Sequence, residues 1–397
     1  MQKVHHFGFS FLCILGLVLA PFFAHADIPD LEVTGWIPYW TVTSGTRDAA
    51  QHLETLTEIH PFAYVIKSDG TLSDLADLDK RIWKRLFTKA RHEDVLIIPT
   101  VTTSNGPLVH SILTNARRMK DHVEEIVDMV EDGRYDGVDI NYEGKLADTN
   151  LFFALFLREL KKELGSKMLS CAIESRTPPE SLYRVVPDTI EYANNLPAIG
   201  LYCDRVQIMT YDQQRADLLL NDMRKGAPYI PVSDPAWVRK VVDYMALSIP
   251  RDKMMLGIPT YGHEFEVITI PDQFLEYNKV GSRNPDTALD KADDKDVEPS
   301  RNSAGELSFS YLPDFIEDDL PRNLRIPANT PEGNKAAAQA LAYAGMTGQA
   351  VPVYVVWWSD AEAIEDKVEL ADELGLRGVA IFKIDGHEDE DMWNIFE

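Results

Sequence analysis

Tyr135-Asp136-Gly137-Val138-Asp139-Ile140-Asn141-Tyr142-Glu143-Gly144 carries the most information in this chain. As a strand, its side chains alternate between two faces. Val138, Ile140 and Tyr142 share one face, which suits packing against helices. Asp139, Asn141 and Glu143 share the other. Two carboxylates on one buried face are costly unless hydrogen bonds or a shared proton relieve them. The polar face therefore points into the interior of a barrel, with Glu143 at its C-terminal mouth, where barrel active sites are built. One raised carboxyl pKa would follow, as a general acid requires near neutral pH. Without catalysis, the same residues would form a hydrogen-bonded polar layer inside the barrel.

Outward from this stretch, short β-rich runs alternate with amphipathic segments. Val33–Trp40, Pro61–Lys67, Val95–Thr102, Gly137–Glu143, Met168–Ser175, Asp204–Tyr211, Met254–Tyr261 and Gly378–Asp385 are the strand candidates. Parallel strands with helical crossovers are expected, and eight of them close a (β/α)8 TIM barrel. Met119, Val123, Ile126, Val127 and Val130 form a helical stripe. Asp234-Pro235 is an expected helix start, Ser359-x-x-Glu362 an expected capping box, and Gly375 an expected helix end. The alternation breaks from about Glu264 to Pro352, a small insertion between strands seven and eight. A rim subdomain with a mobile loop is expected there. Asn284–Gly305 is read as a solvated acidic loop, and its aspartates lack the turn glycine of a calcium-binding EF-hand.

Composition limits the partners. The 397 residues, 45% hydrophobic, suffice for one large core. Lys and Arg number 39 against 64 Asp and Glu, a net charge of −25. Nucleic acids and anionic membrane surfaces are therefore not expected partners. Residues 1–26 have the form of a signal peptide: a weakly basic start, an apolar run containing Cys13, and Ala24-His25-Ala26 before Asp27. Residues 27–397 would form the barrel, secreted or held in the cell envelope, monomeric, with no integral membrane anchor after cleavage. Cys171 and Cys203 are expected to be buried and unpaired. The ten histidines form no tight ligand cluster, and no metal or cofactor is implied.

Two further segments bring chemistry to the same mouth. Gln207-Ile208-Met209-Thr210-Tyr211-Asp212 ends the sixth strand, and Gly257-Ile258-Pro259-Thr260-Tyr261-Gly262 ends the seventh. Aromatic walls with few polar groups suit a sugar ring. Trp36, Tyr39, Trp40, Trp357 and Trp358 are candidates for the cleft or for the core.

With these three segments in order, the chain resembles family 18 glycoside hydrolases, the chitinases and related peptidoglycan-lytic N-acetylglucosaminidases. Asp136, Asp139 and Glu143 match the family's strand-four pattern, Asp-x-x-Asp-x-Asp-x-Glu. Met209, Tyr211 and Asp212 match its strand-six pattern. Gly257–Gly262 resembles its strand-seven signature, and the run Tyr192–Asp204 looks like the approach to strand six in spore- and cell-wall-lytic members. Two positions depart: the third aspartate is Asn141, and the usual strand-eight tryptophan is Phe382.

The resemblance implies hydrolysis of an N-acetylated polysaccharide or oligosaccharide with retention, the substrate's own acetamido group attacking the anomeric carbon. It implies Glu143 as acid, Asp139 tuning it through Asn141 or directly, and Tyr211 holding the acetamido group. Met209, Asp212, Tyr261, Phe382 and Trp36 would bind substrate. Asp136, of opposite parity, would be structural support. Chitin, peptidoglycan and N-glycan cores remain open as substrates. A weak or inactive glycan-binding barrel is the alternative, which retention of Glu143 disfavours.

Overall fold

The computed structural model describes residues 31–224 and 226–396, so the expected signal peptide lies outside the described residues. Eight parallel strands close a barrel: β1 (Glu32–Pro38), β2 (Glu58–Ile66), β3 (Thr100–Thr103), β4 (Gly137–Tyr142), β5 (Met168–Glu174), β6 (Arg205–Met209), β7 (Met254–Pro259) and, after an insertion, β12 (Gly378–Phe382). The order β1-β12-β7-β6-β5-β4-β3-β2 returns to β1 through the pairing of Trp36 with His60. The expected single run Val95–Thr102 is split. Leu96–Ile97 pairs with β2, then Ile98-Pro99 interrupts before β3. Proline has no N–H to give the ladder.

Apolar strand faces pack outward against the helices. In Ala116–Asp132, Val123, Ile126 and Val130 are buried, with Met119 and Val127 beside them. Asp234 caps Pro235–Met245 by accepting from Ala236 N–H. The other expected cap is shifted by one residue. Asp360, not Ser359, accepts from Ala363 N–H and opens Ala361–Glu373, while Ser359 is buried. Gly375 follows that helix at φ 62°, a conformation glycine adopts without strain. At the N-terminal end of the barrel, Glu32 joins Arg205 of β6 to Arg377 just before β12.

The insertion is a second sheet. β8 (Gly262–Ile270), β9 (Gln273–Arg283), β10 (Leu307–Tyr311) and β11 (Val351–Trp358) pair antiparallel in the order β9-β8-β11-β10, with Ser300–Arg301 added at the β10 edge. Asn284–Gly305 is not the expected solvated loop. Pro285–Asp294 is a helix with a capping box at Asn284 and Thr287. Its Ala288 and Ala292 are buried against Phe309, Val356 and Trp358. Trp357 and Trp358 are packed in core clusters, and neither lines the catalytic cavity. Only Thr260 and Tyr261 separate β7 from β8. A Cβ on Gly262 would lie 2.1 Å from the Trp357 carbonyl oxygen, so β8 and β11 meet there at a distance that only glycine permits.

Cys171 of β5 and Cys203, at the approach to β6, form a disulfide, which corrects the expectation of free thiols. Among the described residues no helix is long and apolar enough to cross a membrane.

Candidate active site

The polar face of β4 stands as a column. At its base Asp139 is fully buried, and its Oδ2 accepts from Trp36 Nε1 (3.1 Å) and Thr100 Oγ1 (2.9 Å). Above it, Asn141 Nδ2 donates to Glu143 Oε1 at 3.0 Å. Glu143 lies one residue beyond the strand, its N–H held by the Thr103 carbonyl. Oδ1 of Asp139 and Oδ1 of Asn141 are both buried without a donor. Asp136 faces the other way and accepts from Ile97 N–H at 2.9 Å, as its parity requires.

Burial pushes the Glu143 carboxyl above its usual range. The charges of Glu174 and Asp212 push it the same way, while the Asn141 hydrogen bond and the Lys145 charge offset only part. Glu174, at the end of β5, behaves oppositely. Burial would raise it, but the Lys145 charge and hydrogen bonds from Asn194 and from the Gly144 N–H outweigh burial and keep it ionised. Lys145 is itself buried and also donates to the Tyr142 carbonyl. Burial, Asn141, Glu174 and Lys145 thus set the protonation of Glu143 together.

Above the column is a cavity of about 140 Å³. Asn141, Glu143, Tyr211 and Asp212 give its lining polar groups, and Met209 adds a thioether. Trp36, Phe62, Ala172 and Phe382 complete the lining with apolar surface. Phe382 stacks on Tyr211 (centroids 5.5 Å apart, planes at 18°) and meets Trp36, Phe62 and Tyr261 edge-on. Burial holds the Tyr211 hydroxyl well above its usual pKa, so it remains a neutral O–H donor. Asp212 takes a left-handed backbone (φ 54°) and accepts from His263 Nε2 at 2.6 Å. Burial would raise its pKa, but the His263 hydrogen bond and charge, with Lys279 and Tyr261, hold it below the usual range.

Seven of the nine residues expected from the sequence meet in this cavity: Asn141, Glu143, Tyr211, Met209, Asp212, Phe382 and Trp36. Asp139 lies beneath it. Tyr261 packs behind Tyr211 at 6.3 Å and buttresses the wall instead of lining it. Trp40 is half-exposed, edge-on to Tyr39 and Phe62. Sequence reasoning missed Phe62, Ala172, Lys145, Glu174 and His263. Phe62 has the parity of Glu58 and His60 on β2, a signal that was available. His263 stands two residues beyond Tyr261, but nothing in the sequence brings it to Asp212.

The family model for "Glycosyl hydrolases family 18" matches residues 34–387. The uncharacterized glycosylase YvbX of Bacillus subtilis (strain 168) is 20% identical over 363 residues, 89% of each chain. The spore cortex-lytic enzyme SleL of Bacillus cereus superimposes with a TM-score of 0.67 at 19% identity, over 92% of this chain and 73% of its own. A chitinase of Chromobacterium violaceum gives 0.66 at 16% identity, over 92% and 98%. At these identities the two structures establish the fold.

Proposed function

Because this chain belongs to family 18 of the glycosyl hydrolases and hydrolyses glycans, we propose that it cleaves beside N-acetylglucosamine, in chitin- or peptidoglycan-type strands, with retention and with Glu143 as the acid. One observation carries the reading. Glu143 is the carboxyl at the cavity whose surroundings favour the protonated form.

The remaining carboxylates are poorly suited to attack a sugar. Asp212 is ionised but held by His263 and Tyr261. Glu174 is tied to Gly144, Lys145 and Asn194. Asp139 is fully buried below Asn141. An attacking oxygen then comes from the substrate, and a 2-acetamido carbonyl supplies one. In this reading Glu143 gives its proton to the glycosidic oxygen as the acetamido oxygen bonds to the anomeric carbon. The leaving sugar departs as an alcohol, and an oxazolinium remains. Glu143, now a carboxylate, takes a proton from the water that opens the ring, and the original anomer returns. Tyr211 O–H donates to the acetamido oxygen. The acetamido N–H is the kind of donor that the column of Asp139 and Asn141 lacks. Phe382 and Trp36 give the ring an apolar floor.

Three measurements test this. Product anomers followed by NMR should retain configuration. A thiazoline mimic of the oxazolinium should inhibit more strongly than the corresponding plain sugar. Efficient cleavage of cellulose, which has no acetamido group, would refute the reading. We also propose that the protein is exported. The signal-peptide pattern of residues 1–26 and the Cys171–Cys203 disulfide support this, since such bonds persist in oxidising compartments.

A further inference from the structure

In a chain of net charge −25, cations gathered in one place stand out. Arg184, Arg215 and Arg224 line one cavity of about 450 Å³. It lies where the loop after β6 meets the turn joining β8 to β9, with Tyr229 and Tyr277 in its wall. Arg184 is committed to Asp222 by bonds of 3.0 and 3.3 Å. Arg215 and Arg224 make no such carboxylate pair among the described residues. The Arg215 guanidinium sits 4.7 Å above the Tyr277 ring centre, which fixes its orientation. Nε of Arg224 is buried with no hydrogen-bond partner. A charged donor left without an acceptor is costly, and Arg224 lines the cavity, so a ligand that brings an acceptor to this guanidinium is favoured. The acidic lining residues are Asp222 and Asp272, and Asp222 pairs with Arg184. Two positive charges then face the single negative charge of Asp272.

Residues of this cavity are close in the chain to residues of the catalytic cavity. Arg215 is three residues beyond Asp212, which lines the catalytic cavity. Lys279 is two residues beyond Tyr277 on β9 and shares its face. The Lys279 charge also acts on Asp212. Lys279 thus brings positive charge to Asp212, and Arg215 and Arg224 bring it to the cavity.

We propose that Arg215 and Arg224 form a carboxylate-binding subsite that receives an acidic peptide substituent of the glycan while the sugar strand lies over Glu143. This rests on the N-acetylated glycan reading and narrows it to strands that carry carboxylates. A guanidinium presents paired N–H groups that match a carboxylate edge to edge. Unsubstituted chitin offers this site nothing. A glycan bearing short peptides brings carboxylates on its side chains and termini.

The test uses the full chain carrying Glu143→Gln, so that substrate survives, and measures binding by calorimetry. The probes are a peptide-substituted N-acetylglucosamine glycan fragment, the same fragment with its carboxyls amidated, and a chitin oligosaccharide of equal sugar count. The acidic fragment should bind about tenfold tighter than its amidated form, and the advantage should shrink at high salt. Adding Arg224→Ala should remove that advantage, with affinity for the amidated fragment and the chitin oligosaccharide changed less than about twofold, as for a lost charge-assisted contact. Arg224→Lys should restore part of it. Equal losses on all three probes, or no loss on any, would overturn the subsite. Turnover by the unsubstituted chain is read separately. If it cleaves no N-acetylated glycan, the proposed function fails, while the difference between acidic and amidated probes still decides the subsite.

Discussion

Asn141 donates to Glu143, and that fixes the sign of two substitutions. Asn141→Asp replaces the donor by a like charge, and both changes raise the Glu143 pKa. The fall of kcat with rising pH should therefore move to higher pH, as a pH–rate profile would show. Glu174→Gln does the opposite. It removes a charge that raises Glu143 and frees Lys145 to act on it, so the same limb should move to lower pH. Glu143→Gln itself should fold with an unchanged circular dichroism spectrum and lose about 10²–10⁴ in rate, the usual contribution of a general acid. Wild-type turnover in that variant would remove Glu143 from the role.

At the scale of elements, Glu306 binds the inserted sheet to the barrel. Its carboxyl accepts from Val232 and Ser233 N–H, in the loop that begins at Tyr211, and from Trp357 Nε1 of β11. Ser233 in turn donates to the Thr210 carbonyl at 2.6 Å. Glu306→Ala leaves three buried donors without an acceptor. A destabilisation on the order of 3–5 kcal/mol is expected. Hydrogen exchange across residues 210–233 should accelerate, and unchanged exchange there would show that the loop is held by other contacts. The disulfide closes a separation of 32 residues. Replacing both cysteines by serine should cost about 3–4 kcal/mol by chain entropy, read from denaturant midpoints. These links are also where the sequence is mute. The barrel strands were legible because buried parallel strands are apolar runs, and β4 because Asp139, Asn141 and Glu143 interrupt one face of such a run. The inserted sheet was not. β8 follows β7 after two residues and so extends a strand already accounted for. β9, at the sheet edge, leaves most of its side chains exposed and shows no apolar alternation. The helix Pro285–Asp294 buries mainly alanines, too small to mark a stripe among its aspartates. The pairing of Cys171 with Cys203, and of His263 with Asp212, depends on loop paths that residue type does not encode.

Across the whole molecule, an early helix and the C-terminal segment are joined by an acid pair. Asp48, in the first helix (Val42–Gln51), meets Glu388 in the C-terminal segment. Asp48 Oδ2 and Glu388 Oε1 are both buried without a hydrogen-bond partner, which disfavours ionising both carboxyls together. Burial first, then Asp48, pushes Glu388 from its ordinary 4.5 up to about 9. A raised carboxyl favours the folded state while it stays protonated. Its contribution is complete below about pH 4.5 and is lost as pH rises through about 9. Melting temperature should fall between about pH 4.5 and about 9, and Glu388→Gln, which cannot ionise, should flatten the fall. Parallel curves for the two proteins would show that the pair plays no part. The tight joint at Gly262 acts on the same large scale. A wall attached through two residues and pressed against its neighbouring strand does not swing. An arriving glycan then meets a rigid scaffold, and the freedom surrendered on docking is the glycan's own. Stiff, extended strands, which have least to surrender, should engage it faster than coiled ones of the same composition.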